Sequence, residues 1–177
     1  MLGYDAPRWH AVLNDLPAAL LVAAVLFDLA GAAFKRESLK WAAIWTLWAG
    51  VIGGWAAVVA GKLAEGALEH GEAIHELMER HERLALITMG LFTAILAWKM
   101  YRRFVLPAAE ETVTRLLGVL GLAGLCWVGS IGGKLVFEHA AGISNERLRA
   151  ELTDRKAMPG DTTAAHEHAP GTPPHKH

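Results

Sequence analysis

Four long apolar segments, separated by short polar stretches, dominate the chain. The second contains no charged residue from 41 to 61, the fourth contains none from 116 to 133, and the first is interrupted only by Asp28. A helix needs about 20 apolar residues to cross a hydrocarbon core of about 30 Å. A helix of a soluble bundle has a polar outer face, which these segments lack. The pattern predicts four membrane-spanning helices, at about residues 12–34, 41–63, 82–103 and 113–137.

We therefore expect an all-α fold, an integral membrane four-helix up-down bundle within residues 1–143. The chain is 53% hydrophobic with a mean hydropathy of +0.27, which is more apolar than a typical soluble domain. Residues 144–157 are predicted to form a short amphipathic helix, because Leu148 and Leu152 are four residues apart. Residues 158–177 are rich in Pro, Gly, Thr, Ala and His, a composition that predicts a disordered tail.

Basic residues cluster in the two shortest connections, KRESLK at 35–40 and KMYRR at 99–103. Because cytoplasmic loops carry an excess of Lys and Arg, both turns are predicted to lie in the cytoplasm. The protein would then be a multi-pass protein of the bacterial inner membrane with both termini in the periplasm. The formal net charge of −1 argues against nucleic acid as a partner.

The two halves of the chain follow the same order of features. Each begins with a histidine, His10 or His81, continues through an apolar span to a basic turn, and returns through a glycine-bearing span. The returning spans end in the same tripeptide, GKL, at 61–63 and 133–135. This order predicts an internal repeat of two helical hairpins, related by a two-fold axis along the membrane normal.

Histidines gather at one end of the predicted bundle, opposite the basic turns: His10, His70, His75, His81 and His139. A neutral imidazole offers one nitrogen to iron, copper or zinc and uses the other for an orienting hydrogen bond. Two imidazoles on opposite faces of a porphyrin give the six-coordinate iron of a b-type cytochrome. We therefore predict bound haem b, and the candidates for its axial ligands are His10, His75, His81 and His139.

The repeat relates these histidines to one another. It equates His10 with His81, and His139 with His70 or His75. One site that uses His10 and His81 across the axis satisfies this symmetry, and so do two sites that pair neighbouring helices.

A non-haem site built from neighbouring residues is an alternative. Glu72 and His75 have the Glu-x-x-His spacing of di-iron carboxylate bundles. Met78 lies three residues from both His75 and His81, which suits copper. Copper, zinc or iron would then replace haem, with further ligand candidates in His70, Glu72, Met78 and Glu138. Glutamates also favour helix N-termini through the helix dipole, so this pattern has a purely structural explanation as well.

Asp28 is the one charged residue in the apolar run from 16 to 34. It lies seven residues before Lys35, about two helical turns from the inner interface. A structural role, in which the carboxylate pairs with a cation or extends to the interface, is one interpretation. Proton uptake from the cytoplasmic side is the other.

Three stretches resemble a bacterial family of four-span membrane proteins catalogued as a domain of unknown function. HAVLNDLPAALLVAAVLFDLAG at 10–31 resembles the family's opening, H-P-x-x-V-H-F-P-I-A-L-L followed by D-L. HERLAL at 81–86 and GGKLVFEHAAGI at 132–143 resemble its later motifs. The chain departs from the pattern at Ala11, in place of proline, and at Asp15, in place of a second histidine. The residues that match by position are His10, Asp28, His81 and His139.

These observations favour a haem-binding electron-transfer protein whose ligands lie near the periplasmic face. Its architecture is similar to that of small membrane b-type cytochromes, and its activity would be that of a quinol-linked oxidoreductase. The expected partners are the lipid bilayer, a quinone, a periplasmic redox protein and a second copy in a homodimer. Two alternatives stay open: a membrane protein that binds or handles copper, zinc or iron, and a structural accessory subunit of a respiratory complex.

Overall fold

The computed structural model describes residues 6–66 and 72–157. Within these ranges the chain is helical: α1 Ala6–Ala33, α2 Glu37–Glu65, α3 Glu72–Tyr101, α4 Ala108–Phe137 and α5 Asn145–Ala157. The first four helices are long and apolar enough to cross a membrane, and each overlaps one predicted span. The prediction of an all-α membrane bundle is confirmed. The tail 158–177, predicted to be disordered, lies outside the described residues.

The four long helices form a ring in chain order. α1 packs against α2 and α4, and α3 packs against the same two helices, whereas the backbones of α1 and α3 lie diagonally opposite each other. The core is filled from all four helices, and its two most deeply buried large side chains are Leu21 on α1 and Phe92 on α3. The short turns that follow α1 and α3 both lie at one end of this bundle.

The contacts of the first hairpin recur in the second at positions 71 residues later, the separation of Asp28 and Lys99. Gly50 on α2 packs against Leu21, and its equivalent Gly121 on α4 packs against Phe92. The next helical turn repeats the pattern with the pairs Pro17–Gly53 and Thr88–Gly124. In each pair a glycine lets the backbone of one helix approach a side chain of its neighbour. The predicted repeat is therefore visible in the packing.

The packing also corrects the register of that repeat. Alignment of the two GKL tripeptides equates Gly61 with Gly133. In the structure the equivalent of Gly61 is Gly132, because these two glycines contact His10 and His81 respectively. The identical tripeptides are thus offset by one residue from the positions that pack alike.

The outer surface of the bundle is apolar. Only 11% to 33% of the most hydrophobic stretch of each span is buried inside the bundle. Large hydrophobic side chains such as Trp45, Ile52 and Trp127 point outward with more than half of their surface exposed. A surface of this kind is stable in lipid, where the helices satisfy their own backbone hydrogen bonds. The protein is therefore a membrane protein, with four candidate spans among the described residues.

α5 belongs to a second compact unit, which begins at Ile143. This helix forms where one was predicted, but it is polar along most of its length. From 145 to 156 the only side chain that is partly buried is Leu148, and Leu152 is exposed.

Candidate functional site

Two of the predicted ligands, His10 and His81, meet in the interior of the bundle. They project from the diagonally opposed helices α1 and α3, at the end away from the short turns. Their ring centroids are 6.4 Å apart, and the ring planes are perpendicular, at 90°. Both side chains are partly buried. Because the two residues occupy equivalent positions in the repeat, their contact lies on the pseudo-two-fold axis.

The ring of His10 is held by the backbone of α2. Its Nδ1 atom donates a hydrogen bond to the carbonyl oxygen of Ala57, over 2.9 Å. Its Cε1 atom lies against Gly61, where a Cβ atom would come within 2.9 Å of the ring. A carbonyl oxygen can only accept, so the proton of a neutral His10 is on Nδ1. The Nε2 lone pair is then available to a ligand.

The ring of His81 has the equivalent surroundings on α4. Its Cε1 atom lies 3.1 Å from the Cβ position of Gly132. The buried Nδ1 atom of His81 nevertheless has no partner with hydrogen-bond geometry among the described residues. His10 Nδ1, in contrast, is bonded to Ala57, so the two rings share their glycine contacts and differ in their hydrogen bonds.

The other predicted ligands do not join this pair. His75 is exposed and lies 3.7 Å from Glu79, one turn along its own helix. His139, immediately after α4, is exposed, as is Glu138, whereas Met78 is partly buried. Over residues 6–66 and 72–157, no three His, Cys, Asp or Glu side chains come together as a metal-binding group. A ligand role for these residues stays a prediction.

Two further candidates for a non-haem site have side chains outside the described part of the chain. His70 lies outside the described residues, and the side chain of Glu72, at the start of α3, is also outside them. The di-iron alternative that pairs Glu72 with His75 therefore stays a prediction.

The geometry of the His10–His81 pair is compatible with one shared metal. A metal–imidazole bond is about 2 Å long, and the ring centre lies about 1 Å beyond the nitrogen. Two imidazoles on opposite sides of one metal therefore have centroids about 6 Å apart, close to the observed 6.4 Å. Perpendicular planes are compatible with this arrangement because both rings contain the nitrogen–metal axis. Two facing imidazoles, with the Nε2 lone pair of His10 available, are a donor set that fits a haem iron or a single metal ion.

A second group of polar residues occupies the opposite end of the bundle. Asp28 Oδ2 accepts a hydrogen bond from Lys99 Nζ over 3.0 Å, and Arg115 Nε lies 3.7 Å from Asp28 Oδ1. Arg115 in turn pairs with Glu111 over 2.7 Å. A cavity of about 20 Å³, room for about one water molecule, adjoins Asp28, Lys99, Arg115 and Thr114.

These contacts show how the charge of Asp28 is compensated. The two cations come from α3 and α4, not from the nearby Lys35, so local spacing in the sequence gave no indication of them. A structural ion pair accounts for the position of Asp28, and proton uptake stays a prediction. The sequence signal that could have indicated this pairing is depth, because Lys99 and Arg115 lie at the same end of the bundle as Asp28.

Comparison with known proteins gives a family and no activity. The family model described as predicted membrane protein (DUF2231) matches residues 8–145, which include nearly all of α1, all of α2 to α4 and both members of the histidine pair. No curated protein and no solved structure matches the chain.

Proposed function

The chain belongs to this family of membrane proteins, and we propose that it is an electron-transfer protein of the b-type cytochrome kind, holding one haem between His10 and His81. The observation that supports this proposal is the approach of these two rings to 6.4 Å from diagonally opposed helices. Both are imidazoles, both are partly buried, and both lie within an apolar bundle. This is the ligand set of a six-coordinate haem iron.

The proposal assigns separate tasks to the residues around the haem. His10 and His81 would bind the iron, and the Ala57 carbonyl would keep the Nδ1 proton of His10 in place. Orientation of a ligating imidazole by a hydrogen bond on its other nitrogen is usual at metal sites. The haem would supply one-electron exchange, while the surrounding helices set its potential through burial and axial ligation.

One haem for each chain, not two, follows from the symmetry of the site. Residues in equivalent positions contact each other, so a single ligand on the axis satisfies both halves. A second haem would need His75 or His139, whose side chains are exposed. We therefore select the single site across the axis from the two arrangements that the sequence allowed.

We base the proposed direction of electron transfer on the predicted orientation of the bundle. If the basic turns face the cytoplasm of a bacterial inner membrane, the histidine pair lies near the periplasmic face. We propose a quinol in the bilayer as the electron donor and a periplasmic redox protein as the acceptor. A quinol is proposed because the protein lies in a membrane. A periplasmic acceptor is proposed because the histidine pair lies near one end of the bundle.

The test is the absorption spectrum and haem content of the full chain, purified in lipid nanodiscs after expression with sufficient haem. The expected result is one haem per chain, with a Soret band and sharp α and β bands on reduction. His10→Ala and His81→Ala should each lower haem content by more than half, because only one of the two histidine ligands would remain to hold the haem. The matched controls His75→Ala and His139→Ala should keep the wild-type content.

Other outcomes distinguish the alternatives. Colourless protein that binds one copper or zinc ion through His10 and His81 would replace haem with a non-haem metal. Protein that binds neither haem nor metal under these conditions would overturn the cofactor proposal. That outcome would favour a structural accessory subunit.

A further inference from the structure

The structure points to a role for the backbones of α2 and α4 in positioning the paired histidines: we infer that Gly61 and Gly132 set the perpendicular orientation of the His10 and His81 rings. This inference rests on the proposed function, which identifies the bound group as haem. Gly61 and Gly132 would contact the imidazoles and would not bind the iron. Gly61 and Gly132 are therefore positioning residues.

The steric basis is clearest at Gly61. A Cβ atom there would lie 2.9 Å from His10 Cε1 and 3.0 Å from His10 Nδ1. Both distances are too short for a side-chain carbon, so an alanine at this position must displace the ring. At Gly132 the corresponding distance to His81 Cε1 is 3.1 Å, so the expected displacement is smaller.

The hydrogen bond on the same ring makes this displacement consequential. Ala57 lies four residues before Gly61, one turn earlier on the same face of α2. Its carbonyl and the Gly61 backbone therefore contact the same imidazole from adjacent turns. A ring displaced from Gly61 changes its angle to that carbonyl, and the 2.9 Å hydrogen bond weakens.

In the second half of the chain Gly132 contacts His81 as Gly61 contacts His10. His81 Nδ1 has no hydrogen-bond partner among the described residues, so the glycine contact is the part of the arrangement that both rings share. The packing glycines Gly50 and Gly121 recur in the same way. A positioning role is therefore distinguished by contact with an imidazole, and the ring planes of these two imidazoles are at 90° to each other.

Ring orientation has a spectroscopic signature that helix packing lacks. When two axial imidazoles of an oxidised low-spin haem are perpendicular, its electron paramagnetic resonance spectrum is strongly anisotropic, with one resolved low-field feature. When the imidazoles are nearly parallel, three features are resolved. The wild-type protein is expected to show the first kind of spectrum.

The experiment compares Gly61→Ala and Gly132→Ala with two kinds of control in the full-length protein in nanodiscs. Gly133→Ala is the matched control, since no neighbouring atom of residues 6–66 or 72–157 lies within 4 Å of a Cβ atom at that position. Gly50→Ala is a packing control, since its Cβ atom would meet Leu21 and not a histidine. We expect the low-field feature to shift or split in Gly61→Ala, to shift less in Gly132→Ala, and to stay unchanged in both controls.

A second measurement does not depend on haem. Nitrogen-15 NMR of histidine-labelled protein without cofactor, in lipid, reports which nitrogen of His10 carries the proton; His10→Gln identifies its signals. The Nδ1-protonated form should dominate in wild type and in Gly133→Ala, and it should lose population in Gly61→Ala.

The results separate the two proposals. If the wild type binds no haem but Gly61→Ala changes the His10 nitrogen signals and Gly133→Ala does not, the proposed function fails and the positioning role stands. If haem binds and both spectra of Gly61→Ala equal those of the wild type, the positioning role is wrong and the proposed function stands. A resonance spectrum that changes equally in Gly50→Ala and Gly61→Ala would also overturn it, because packing alone would then explain the change.

Discussion

Asp28 and Lys99 occupy equivalent positions in the two halves of the chain, and they pair with each other across the bundle, with Oδ2 and Nζ 3.0 Å apart. The same relationship, a separation of 71 residues, joins His10 to His81 at the other end of the bundle. Residues that are equivalent by symmetry and also in contact must lie beside the symmetry axis. The pseudo-two-fold axis therefore runs the length of the bundle, from the ion pair to the histidine pair.

Removal of the Asp28 carboxylate is expected to destabilise the bundle. Asp28→Asn removes the counter-ion of Lys99, whose side chain is only 12% exposed, whereas Arg115 keeps its pair with Glu111. The loss of one partner of a buried pair costs about 3 kcal/mol of unfolding free energy. Reversible unfolding in mixed micelles or by steric trapping measures this change.

The control for this experiment is an exposed ion pair. Glu79→Gln removes the carboxylate that lies near His75 and Arg83 at the surface of α3. Its cost should be below about 1 kcal/mol, because exposed pairs contribute little. Equal stability of Asp28→Asn and wild type would show that the buried pair does not stabilise the bundle.

Alanine at either of the equivalent glycines, Gly50 or Gly121, should destabilise the bundle. A Cβ atom would lie 2.8 Å from Leu21 in one case and 2.6 Å from Phe92 in the other, and both neighbours are fully buried. Either alanine variant is expected to lower the unfolding free energy by about 1 to 3 kcal/mol. Gly90→Ala, whose Cβ atom would meet no neighbour within 4 Å among the described residues, should be neutral or slightly stabilising.

A hydrogen bond between α2 and α3 gives a third test of stability. Trp55 Nε1 donates to Thr93 Oγ1 over 2.9 Å, and that hydroxyl donates to the Met89 carbonyl. Thr93→Val, which removes the hydroxyl, should cost about 1 kcal/mol, the usual scale for such bonds between membrane helices. Thr93→Ser keeps the hydroxyl and should be more stable than Thr93→Val. A Thr93→Val variant as stable as the wild type would show that this hydrogen bond does not stabilise the bundle.

Truncation after Ala157 tests whether the C-terminal histidines take part in cofactor binding. The candidate ligands His10 and His81 belong to the compact unit that ends at Gly142. We expect the truncated protein to keep the haem content and the spectrum of the full chain. A truncation that strips the cofactor, together with a fully loaded His81→Ala, would place the binding site in the residues removed.

Orientation in the membrane can be measured with reporter enzymes. Alkaline phosphatase, which is active only in the periplasm, should be inactive when inserted at the 35–40 turn and active at the C-terminus. The physical reason is the cluster of Lys and Arg in the two short turns. The opposite pattern would place the histidine pair at the cytoplasmic face.

The fold was largely predictable because hydrophobic length alone identifies a membrane span. The depth of each residue follows from its position along a span, which is why the approach of His10 and His81 to one end could be predicted. The angular position of a side chain is harder to predict, since in lipid the outer face of a helix is as apolar as its inner face. For this reason the sequence did not show that His75 and His139 lie apart from the pair formed by His10 and His81.

The partners of Asp28 and the exact register of the repeat were missed for a related reason. Both depend on contacts between helices that are distant in sequence. Lys99 is 71 residues from Asp28, and only the packing of α1 against the second hairpin brings them together. The identical GKL tripeptides at the ends of α2 and α4 suggested an alignment of Gly61 with Gly133. The contacts with the two histidines equate Gly61 with Gly132 instead.

The joining of both hairpins in one chain has a consequence for the residues beside the axis. In a dimer of two identical hairpins, a position that meets its own copy must carry the same amino acid twice, so an aspartate at the place of Asp28 would face a second aspartate. A single chain encodes the two positions separately and can set an acid opposite a base. Lys40 and Glu111, also 71 residues apart in the sequence, lie 3.9 Å from each other, and here the base is in the first half and the acid in the second. At His10 and His81 that freedom was available too, yet the two residues are the same.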